Sequence, residues 1–341
     1  MTTDSFTLIA GDGSDRKFYR WVGNAHQTSI CMQFSAWEGG YGGDPNSWLE
    51  MQKALVQMGI PVPEVLKVDK DKLCIWTEDL GDVFLGALPF SVKMYEEALN
   101  LLVRAQYPSA QIQTPASSRL FDFEKLYYEM NFFVKYFLNE FLNLNVGDKT
   151  HAPLFEDIQL LCEEIQKFQR VFCHRDYHSR NLMVKDKRLY WIDFQDARMG
   201  PHSYDVVSLL RDSYVQMDWD TRKSLCEYYL KCVNALRHKG HLPIISEDNF
   251  HRELLLVGLQ RNVKAIGSFA YLACEKKKPS YLAHVFYTLG IVCSPQAQVC
   301  AQTNLKTMFP EFFELLERLY RGDLSALLRK QIERAQNDEH K

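Results

Sequence analysis

The sequence contains no long run of apolar residues. Nothing near its start resembles a secretory signal peptide, and no stretch is long enough to span a lipid bilayer. The nine cysteines are scattered, without a Cys-x-x-Cys pair, a pattern that is typical of reduced thiols and not of a disulfide framework or a zinc site. These absences predict a cytoplasmic protein with no membrane partner.

An excess of positive charge is also missing. The 40 Lys and Arg residues are balanced by 43 Asp and Glu, so that the net charge is −3. Proteins that bind nucleic acid usually carry a strongly basic face, and we therefore expect no nucleic-acid partner. The chain does have length and apolar content. Its 341 residues, of which 46% are hydrophobic, can bury one large core or two adjoining cores.

Two segments in the middle of the chain carry the pattern of phosphoryl-transfer chemistry. Residues 174–181 read His-Arg-Asp-Tyr-His-Ser-Arg-Asn, and an Asp-Phe pair begins at Asp193. A kinase needs one carboxylate to orient the attacking hydroxyl and receive its proton, and it needs oxygen ligands for Mg²⁺ on the nucleotide phosphates. Asp176 fits the first role, while Asn181 and Asp193 fit the second. The pattern predicts a catalytic site that uses ATP and Mg²⁺.

Each of these residues also has an ordinary structural explanation. Asp176 could cap a turn, Asn181 could be a turn residue, and Asp193 could simply end a strand. The three positions nevertheless agree in type and spacing. The apolar run 171–173 precedes them, run 182–184 follows Asn181, and run 189–192 leads into Asp193. The joint pattern favours the catalytic interpretation.

The rest of the chain provides the frame for such a site. Aromatic and β-branched runs at 6–9, 17–22 and 29–34 predict strands, and residues 65–68 and 73–76 predict a hairpin. Helical spacing is expected at about 47–58, 91–105, 122–139, 154–169, 203–212, 219–236, 249–273, 309–320 and 324–337.

The predicted class is therefore α+β, with a two-lobed, protein-kinase-like fold. A small β-rich N-terminal lobe, residues 1–78, is expected to bind the nucleotide. A larger and mainly helical C-terminal lobe, residues 79–341, is expected to carry catalysis and to bind the acceptor. The nucleotide would lie in a cleft between the two lobes.

The loop between the first two predicted strands is a candidate for phosphate binding. Its residues Gly11, Gly13 and Ser14 could bring backbone N–H groups close to the phosphates. Such a loop taken by itself is more often only a hairpin turn, and its position ahead of the other motifs is what favours phosphate binding. Segment 77–81 would be the hinge, where backbone groups near Glu78 would contact the adenine.

One expected residue is absent. Kinase-like folds usually place a lysine on the third strand to hold the phosphates, whereas Gln33 stands near that place here. We expect a cation from the preceding strand, either Lys17 or Arg20, or the adjacent Arg16, to supply the missing charge.

The chain resembles the aminoglycoside phosphotransferase superfamily of kinase-like enzymes, and within it the bacterial anomeric N-acetylmuramate/N-acetylglucosamine kinases. The likeness covers most of the chain, and it rests on segments 11–20, 59–65, 174–183, 192–197 and 200–212. It implies that a sugar is phosphorylated on its anomeric hydroxyl with ATP and Mg²⁺, in the recycling of cell-wall sugars. It also implies that Asp176 is the base, that Asn181 and Asp193 are the metal ligands, and that Asp205 supports the catalytic loop.

The acceptor site is less clearly marked in the sequence. N-acetylmuramate carries a carboxylate, which an arginine binds well. The candidates for acceptor contacts are Tyr177, His178, Arg180, Asp196, Arg211 and Asp212, with Arg261 and Lys264 as further cations. Each of the charged candidates could instead form a structural ion pair.

Three functions remain open from the sequence. The first is an anomeric amino-sugar kinase. The second is a kinase of the same fold for another acceptor, such as an aminoglycoside, choline or homoserine. The third is a pseudokinase that binds nucleotide without turnover, for which only the missing strand lysine argues. The intact Asp176, Asn181 and Asp193 favour an enzyme.

Overall fold

The computed structural model describes residues 5–9, 16–23, 27–37, 44–108, 112–301 and 303–338. The chain divides into two compact units. The first comprises Met1–Arg119 and His174–Arg198, and the second comprises Leu120–Cys173 and Met199–Lys341. The boundary predicted at residue 78 divides the chain by expected function, with nucleotide binding before it and catalysis after it. This boundary stays a prediction.

The first unit is built on a five-stranded antiparallel sheet with the order β1-β2-β3-β5-β4. Its strands are β1 (Ser5–Ile9), β2 (Lys17–Val22), β3 (Thr28–Gln33), β4 (Val65–Asp69) and β5 (Cys74–Glu78). β2 pairs with β3 in a register that places Lys17 opposite Gln33.

Among its described residues, the first unit also contains two α-helices, one between β3 and β4 and one after β5. Helix α1 (Pro45–Gln57) begins where the Asp44 carboxylate accepts the N–H of Asn46 at 2.9 Å, which is the usual way to satisfy a free helix N-terminus. Its apolar face is buried, and Trp48 packs against Phe194 with 5.2 Å between the ring centroids. A short 3₁₀ turn (Leu85–Ala87) precedes α2 (Val92–Gln106).

The catalytic segment predicted from the sequence belongs to the first unit. A 3₁₀ turn (Ser179–Asn181) leads into a hairpin of β7 (Leu182–Lys185) and β8 (Arg188–Trp191). The hairpin is attached to the rest of the unit through its backbone. The N–H of Trp191 donates to the Pro61 carbonyl at 2.9 Å, and the N–H of Val184 donates to the Val83 carbonyl at 2.8 Å.

The second unit is mainly helical. Its helices are α3 (Phe123–Phe133), α4 (Ala152–Gln166), α5 (Ser203–Leu210), α6 (Trp219–Lys239), α7 (Glu247–Cys274), α8 (Val285–Val292), α9 (Leu305–Met308), α10 (Pro310–Arg321) and α11 (Leu324–Asp338). A π-helical segment, Val134–Phe141, continues α3, and 3₁₀ turns occur at Pro279–His284 and Pro295–Ala297. Two small sheets pair β6 (Arg170–Cys173) with β9 (Arg198–Pro201) and β10 (Val299–Cys300) with β11 (Thr303–Asn304).

Helix α7 lies at the centre of the second unit, because most of its residues are buried. The Ser246 hydroxyl caps it by accepting the N–H of Asn249 at 3.3 Å. The preceding helix, α6, is capped in the same way by Asp218, which accepts the N–H of Thr221 at 2.8 Å. None of the helices in the described ranges combines the length and apolar character needed to cross a membrane.

Candidate active site

The loop that carries Asp176 is anchored by its first residue. The imidazole of His174 is fully buried, and its Nε2 lies 2.9 Å from the Ile192 carbonyl oxygen. Burial lowers the pKa of His174 to about 4, so the ring is neutral at pH 7 and can donate its Nε2–H to that carbonyl. Since Ile192 directly precedes Asp193, this bond holds the two predicted catalytic segments together.

Asn181 connects the same two segments at their functional residues. Its Nδ2 donates to the backbone carbonyl of Asp176 at 2.9 Å and lies 3.5 Å from Oδ2 of Asp193. The N–H of His178 donates to the same Asp176 carbonyl at 3.0 Å, which closes the turn after it. The structure thus brings Asp176, Asn181 and Asp193 together, as the spacing in the sequence predicts.

Asp193 occupies an unusual backbone position. Its φ is +62°, a left-handed conformation that Asp and Asn tolerate better than other residues with a Cβ. The carboxylate accepts a hydrogen bond from Gln195 Nε2 at 2.7 Å, and the side chain is 46% exposed. The contact from Gln195 was not predicted from the sequence, although Gln195 stands only two residues after Asp193.

The oxygen donors at this position fit Mg²⁺. One carboxylate and one amide oxygen are hard ligands, and Mg²⁺ in such sites usually completes its shell with water and substrate phosphates. In the described part of the chain no three His, Cys, Asp or Glu side chains form a cluster that could hold a metal ion by themselves. Asn181 and Asp193 could hold Mg²⁺ together with water and nucleotide phosphates.

Arg16 is the cation that the structure places beside Asp193. Its Nη2 lies 3.6 Å from Asp193 Oδ1, and its side chain is only 7% exposed. Burial lowers the pKa of Arg16, while the charges of Asp193 and Asp196 act in the opposite direction. The guanidinium also lies 5.8 Å from the Phe18 ring centroid. Arg16 is one of the three cations that the sequence offers in place of the missing strand lysine.

The other two cations have different surroundings. Arg20 donates to Asp79 at 3.0 Å and to Asp82 at 2.9 Å, and these carboxylates raise its pKa. Its charge is paired with these two carboxylates, and its expected replacement of the strand lysine stays a prediction. Lys17 is exposed on β2, opposite Gln33. Its expected contact with phosphates stays a prediction.

The remaining nucleotide contacts concern the loop and the hinge. Gly11, Gly13 and Ser14 lie outside the described residues. The Glu78 carboxylate accepts a hydrogen bond from Lys185 Nζ at 2.6 Å, and the backbone N–H of Glu78 donates to the Glu64 carbonyl at 2.8 Å. No local pattern marks Lys185, which links β7 to the end of β5 through this bond.

The acceptor candidates in the first unit are differently placed. Tyr177 is fully buried and donates its hydroxyl to the Ala98 carbonyl at 2.7 Å, so its predicted contact with a sugar is corrected to a role in packing the loop. Asp196 lies 3.7 Å from Arg175 Nη1. His178 is half-buried and Arg180 is exposed, and their acceptor contacts remain predictions.

Two further acceptor candidates lie at the end of α5 in the second unit. Asp212 is 2% exposed and accepts the N–H of Tyr214 at 2.9 Å, so the carboxylate shapes a turn and has little surface left for a sugar hydroxyl. Arg211 is 7% exposed, with its backbone carbonyl bonded to Asn262 Nδ2 at 3.0 Å. Asp205, expected to support the catalytic loop, is fully buried in the first turn of α5.

Comparison with known proteins supplies the family. Residues 5–238 match the family described as Phosphotransferase enzyme family, APH. An N-acetylmuramate/N-acetylglucosamine kinase of Pseudomonas aeruginosa is 30% identical over 282 residues, which cover 81% of this chain and 79% of that protein. A protein of the same name from Neisseria meningitidis serogroup B is 30% identical over 286 residues, covering 81% and 80% of the two chains.

A solved structure supports the same assignment at the level of the fold. An ethanolamine kinase of Plasmodium vivax superposes with a TM-score of 0.58 at 12% identity, covering 86% of this chain and 83% of that one. The predicted α+β, kinase-like fold is confirmed by this likeness, which at such low identity concerns the fold alone. By its match over residues 5–238 and by its curated relatives, the chain belongs to the phosphotransferase enzyme family.

Proposed function

We propose that this protein is an ATP- and Mg²⁺-dependent kinase that phosphorylates the anomeric hydroxyl of N-acetylmuramate or N-acetylglucosamine. The observation that carries the proposal is the contact of Asn181 with both Asp176 and Asp193. The names of relatives that are 30% identical over about four fifths of the chain support the choice of acceptor. Such a product would serve the recycling of cell-wall sugars in the cytoplasm.

In this proposal Asp176 orients the acceptor hydroxyl and receives its proton. A hydroxyl loses its proton as the bond to phosphorus forms, and a carboxylate fixed within hydrogen-bond reach accepts it. Asn181 helps to hold the loop of Asp176 in place because it bonds to the Asp176 carbonyl. Mg²⁺ held by Asn181 and Asp193 would neutralise part of the charge on the phosphates.

Arg16 is proposed to take the part of the missing strand lysine. A buried guanidinium beside the metal-binding carboxylate is a suitable contact for phosphate oxygens, since arginine binds them with two parallel hydrogen bonds. This assignment removes the one feature that favours a pseudokinase, because the charge is supplied from the start of β2 instead of from β3.

The test is a coupled assay of ADP release by purified protein with Mg²⁺ and one acceptor at a time. The acceptors are N-acetylmuramate, N-acetylglucosamine, kanamycin, choline and homoserine. Turnover on an acetylated amino sugar is expected, and phosphorus NMR should place the phosphate on the anomeric oxygen. Turnover on one of the other acceptors alone would contradict the proposed substrate while leaving the kinase mechanism in place.

Two variants test the role of Asp176 in the same assay. Asp176→Asn should lower kcat by about 10²-fold or more, which is the scale of lost general-base catalysis, while nucleotide binding stays intact. Asp186→Asn is the matched control, because Asp186 is an exposed carboxylate in the turn between β7 and β8. Near-normal turnover of Asp176→Asn would remove this residue from its proposed role.

A further inference from the structure

A cavity of about 380 Å³ lies within the second unit. Its walls come from α5, the first turns of α6 and α7, and the segment around β10, so none of its lining residues belongs to the segments that carry Asp176 and Asp193. Pockets for small molecules have volumes of roughly 300–1,000 Å³ and are mostly apolar, with a few placed polar groups. Val206, Leu210 and Leu254 provide apolar walls here.

Arg211 is the polar group that distinguishes this cavity. Its side chain lines the space, although the residue is only 7% exposed. Within the described ranges its guanidinium donates no hydrogen bond and has no carboxylate at ion-pair distance. Burial lowers the pKa of Arg211 to about 10, with Cys226 raising it and Arg222 lowering it. The group therefore carries a full charge at neutral pH.

Helix α7 leaves room for this guanidinium. A Cβ added to Gly258 would lie 2.1 Å from Arg211 Nη1 and 2.8 Å from Arg211 Cζ. Glycine weakens the interior of a helix, so its presence in the middle of α7 needs a reason. The close packing of the Arg211 guanidinium against the backbone of α7 explains the glycine. This packing also holds the charge at a defined place.

A second buried cation lies close to the first. Arg222 donates from Nε to the Leu210 carbonyl at 2.8 Å and from Nη2 to the Tyr287 hydroxyl at 2.9 Å. Both hydrogen-bond partners are neutral, and the nearby Asp218 carboxylate acts against burial by raising the pKa of Arg222. The Trp219 ring lies 4.6 Å from the Arg222 guanidinium carbon and 5.7 Å from that of Arg211. Among the described residues, Arg211 has no carboxylate of this kind. A buried cation without an anion is costly, and an anionic ligand beside Arg211 would remove that cost.

The charged residues at the surface of the cavity do not supply this anion. Asp220 and Asp248 also line it, but both are exposed and neither pairs with Arg211 in the described part of the chain. Lys223, likewise exposed, lies 3.8 Å from Glu227. The buried end of the cavity is thus cationic, and its outer end is mixed in charge.

We propose that this cavity binds the carboxylate or phosphate group of a small molecule, with Arg211 as the principal contact. Such a group matches the two parallel N–H bonds that a guanidinium offers. The anion could be the carboxylate of the acceptor itself or a separate phosphorylated or carboxylated metabolite. The first of these sources rests on the proposed function, whereas binding of a separate anion does not require turnover and is independent of it.

Isothermal titration of the full chain without nucleotide provides the test. Inorganic phosphate, N-acetylmuramate and N-acetylglucosamine are titrated separately at constant ionic strength, into the wild type, Arg211→Met and Lys223→Met. Lys223→Met is the matched control, because it removes the same charge from an exposed position on the same cavity. Unfolding curves without ligand establish that each variant is folded.

We expect phosphate or N-acetylmuramate to bind the wild type, and Arg211→Met to weaken this binding by about tenfold or more. Lys223→Met should change it by less than about threefold. If the wild type prefers N-acetylmuramate over N-acetylglucosamine and Arg211→Met loses this preference, the bound anion is the acceptor carboxylate. If phosphate binds and N-acetylmuramate does not affect its binding, the ligand is a separate anion. Absence of binding for both anions at millimolar concentration, or equal binding by a folded Arg211→Met, would overturn the proposal.

Discussion

The guanidinium of Arg16 lies 3.6 Å from the carboxylate of Asp193. Arg16 precedes β2, and Asp193 follows β8, so the contact joins the start of the N-terminal sheet to the loop proposed to hold Mg²⁺. The Asp193 side chain is 46% exposed and can turn towards a nucleotide, whereas the Arg16 side chain is buried beside it. This relationship indicates where a phosphate-binding cation comes from when the third strand has none.

Replacement of Arg16 should mainly affect the nucleotide. In Arg16→Gln the KM for ATP is expected to rise by about tenfold or more, since a hydrogen bond to a charged group contributes roughly 1.5–3 kcal/mol. The KM for the sugar should change little. Steady-state kinetics at saturating acceptor would measure this.

Lys17→Gln is the control for that experiment. Lys17 is next in the sequence and carries the same charge, but it is exposed on β2. Its KM for ATP should stay within about threefold of the wild type. A larger effect at Lys17 than at Arg16 would assign the phosphate contact to the exposed lysine.

Asp193→Asn should distinguish the role of Asp193 in metal binding from its role in the backbone conformation. Asn tolerates the left-handed conformation that Asp193 adopts at φ +62°, so this change removes the negative charge without adding strain. We expect the Mg²⁺ concentration for half-maximal activity to rise by at least about tenfold, because a neutral amide binds a hard cation less strongly than a carboxylate. An unaltered Mg²⁺ dependence would exclude Asp193 as a ligand.

Much of the secondary structure could be predicted because it depends on local pattern. Strand β2 (Lys17–Val22) coincides with a run of aromatic and β-branched residues, and α6 (Trp219–Lys239) begins after a capping Asp218 at the predicted place. Helix α8 (Val285–Val292) was missed. It is apolar all round, so it has no polar face to set a helical period.

The side-chain contacts of the candidate site were less predictable, because they join distant parts of the chain. Arg20 reaches Asp79 and Asp82, which are 59 and 62 residues further along, and no local pattern reports such a pairing. Tyr177 stands inside the catalytic motif, but its direction towards the Ala98 carbonyl depends on how α2 packs. The chemistry of a short motif can be predicted from the sequence, whereas the orientation of each side chain depends on tertiary packing.

Arg20→Gln should lower the free energy of unfolding by about 1–2 kcal/mol at pH 7, since it leaves two carboxylates without their cation. Although burial opposes ionisation of Asp79, hydrogen bonds from the Gly81 N–H and from Arg20 hold its pKa below the usual value. A carboxyl with a lowered pKa stabilises the fold above its unfolded pKa of about 4 and loses this contribution as the pH falls.

The difference between wild type and Arg20→Gln should therefore be full at pH 7 and should shrink below about pH 4. Urea unfolding at several pH values measures it, with Lys17→Gln as a control from the same strand. A difference that stayed constant, or that grew as the pH fell, would show that the Arg20–Asp79 pair is not its source.

Arg211 and Arg222 should respond to the same substitution in opposite ways. In phosphate-free buffer, Arg211→Met removes a buried charge that has no carboxylate or hydrogen-bond acceptor within the described ranges, so the free energy of unfolding should be unchanged or higher by about 1 kcal/mol. Arg222→Met also removes a charge, but it leaves the buried Leu210 carbonyl without its donor and should cost about 1–3 kcal/mol. Urea unfolding of both variants measures the contrast. Equal destabilisation would mean that Arg211 has a structural partner within the protein, and its charge would then no longer call for a ligand.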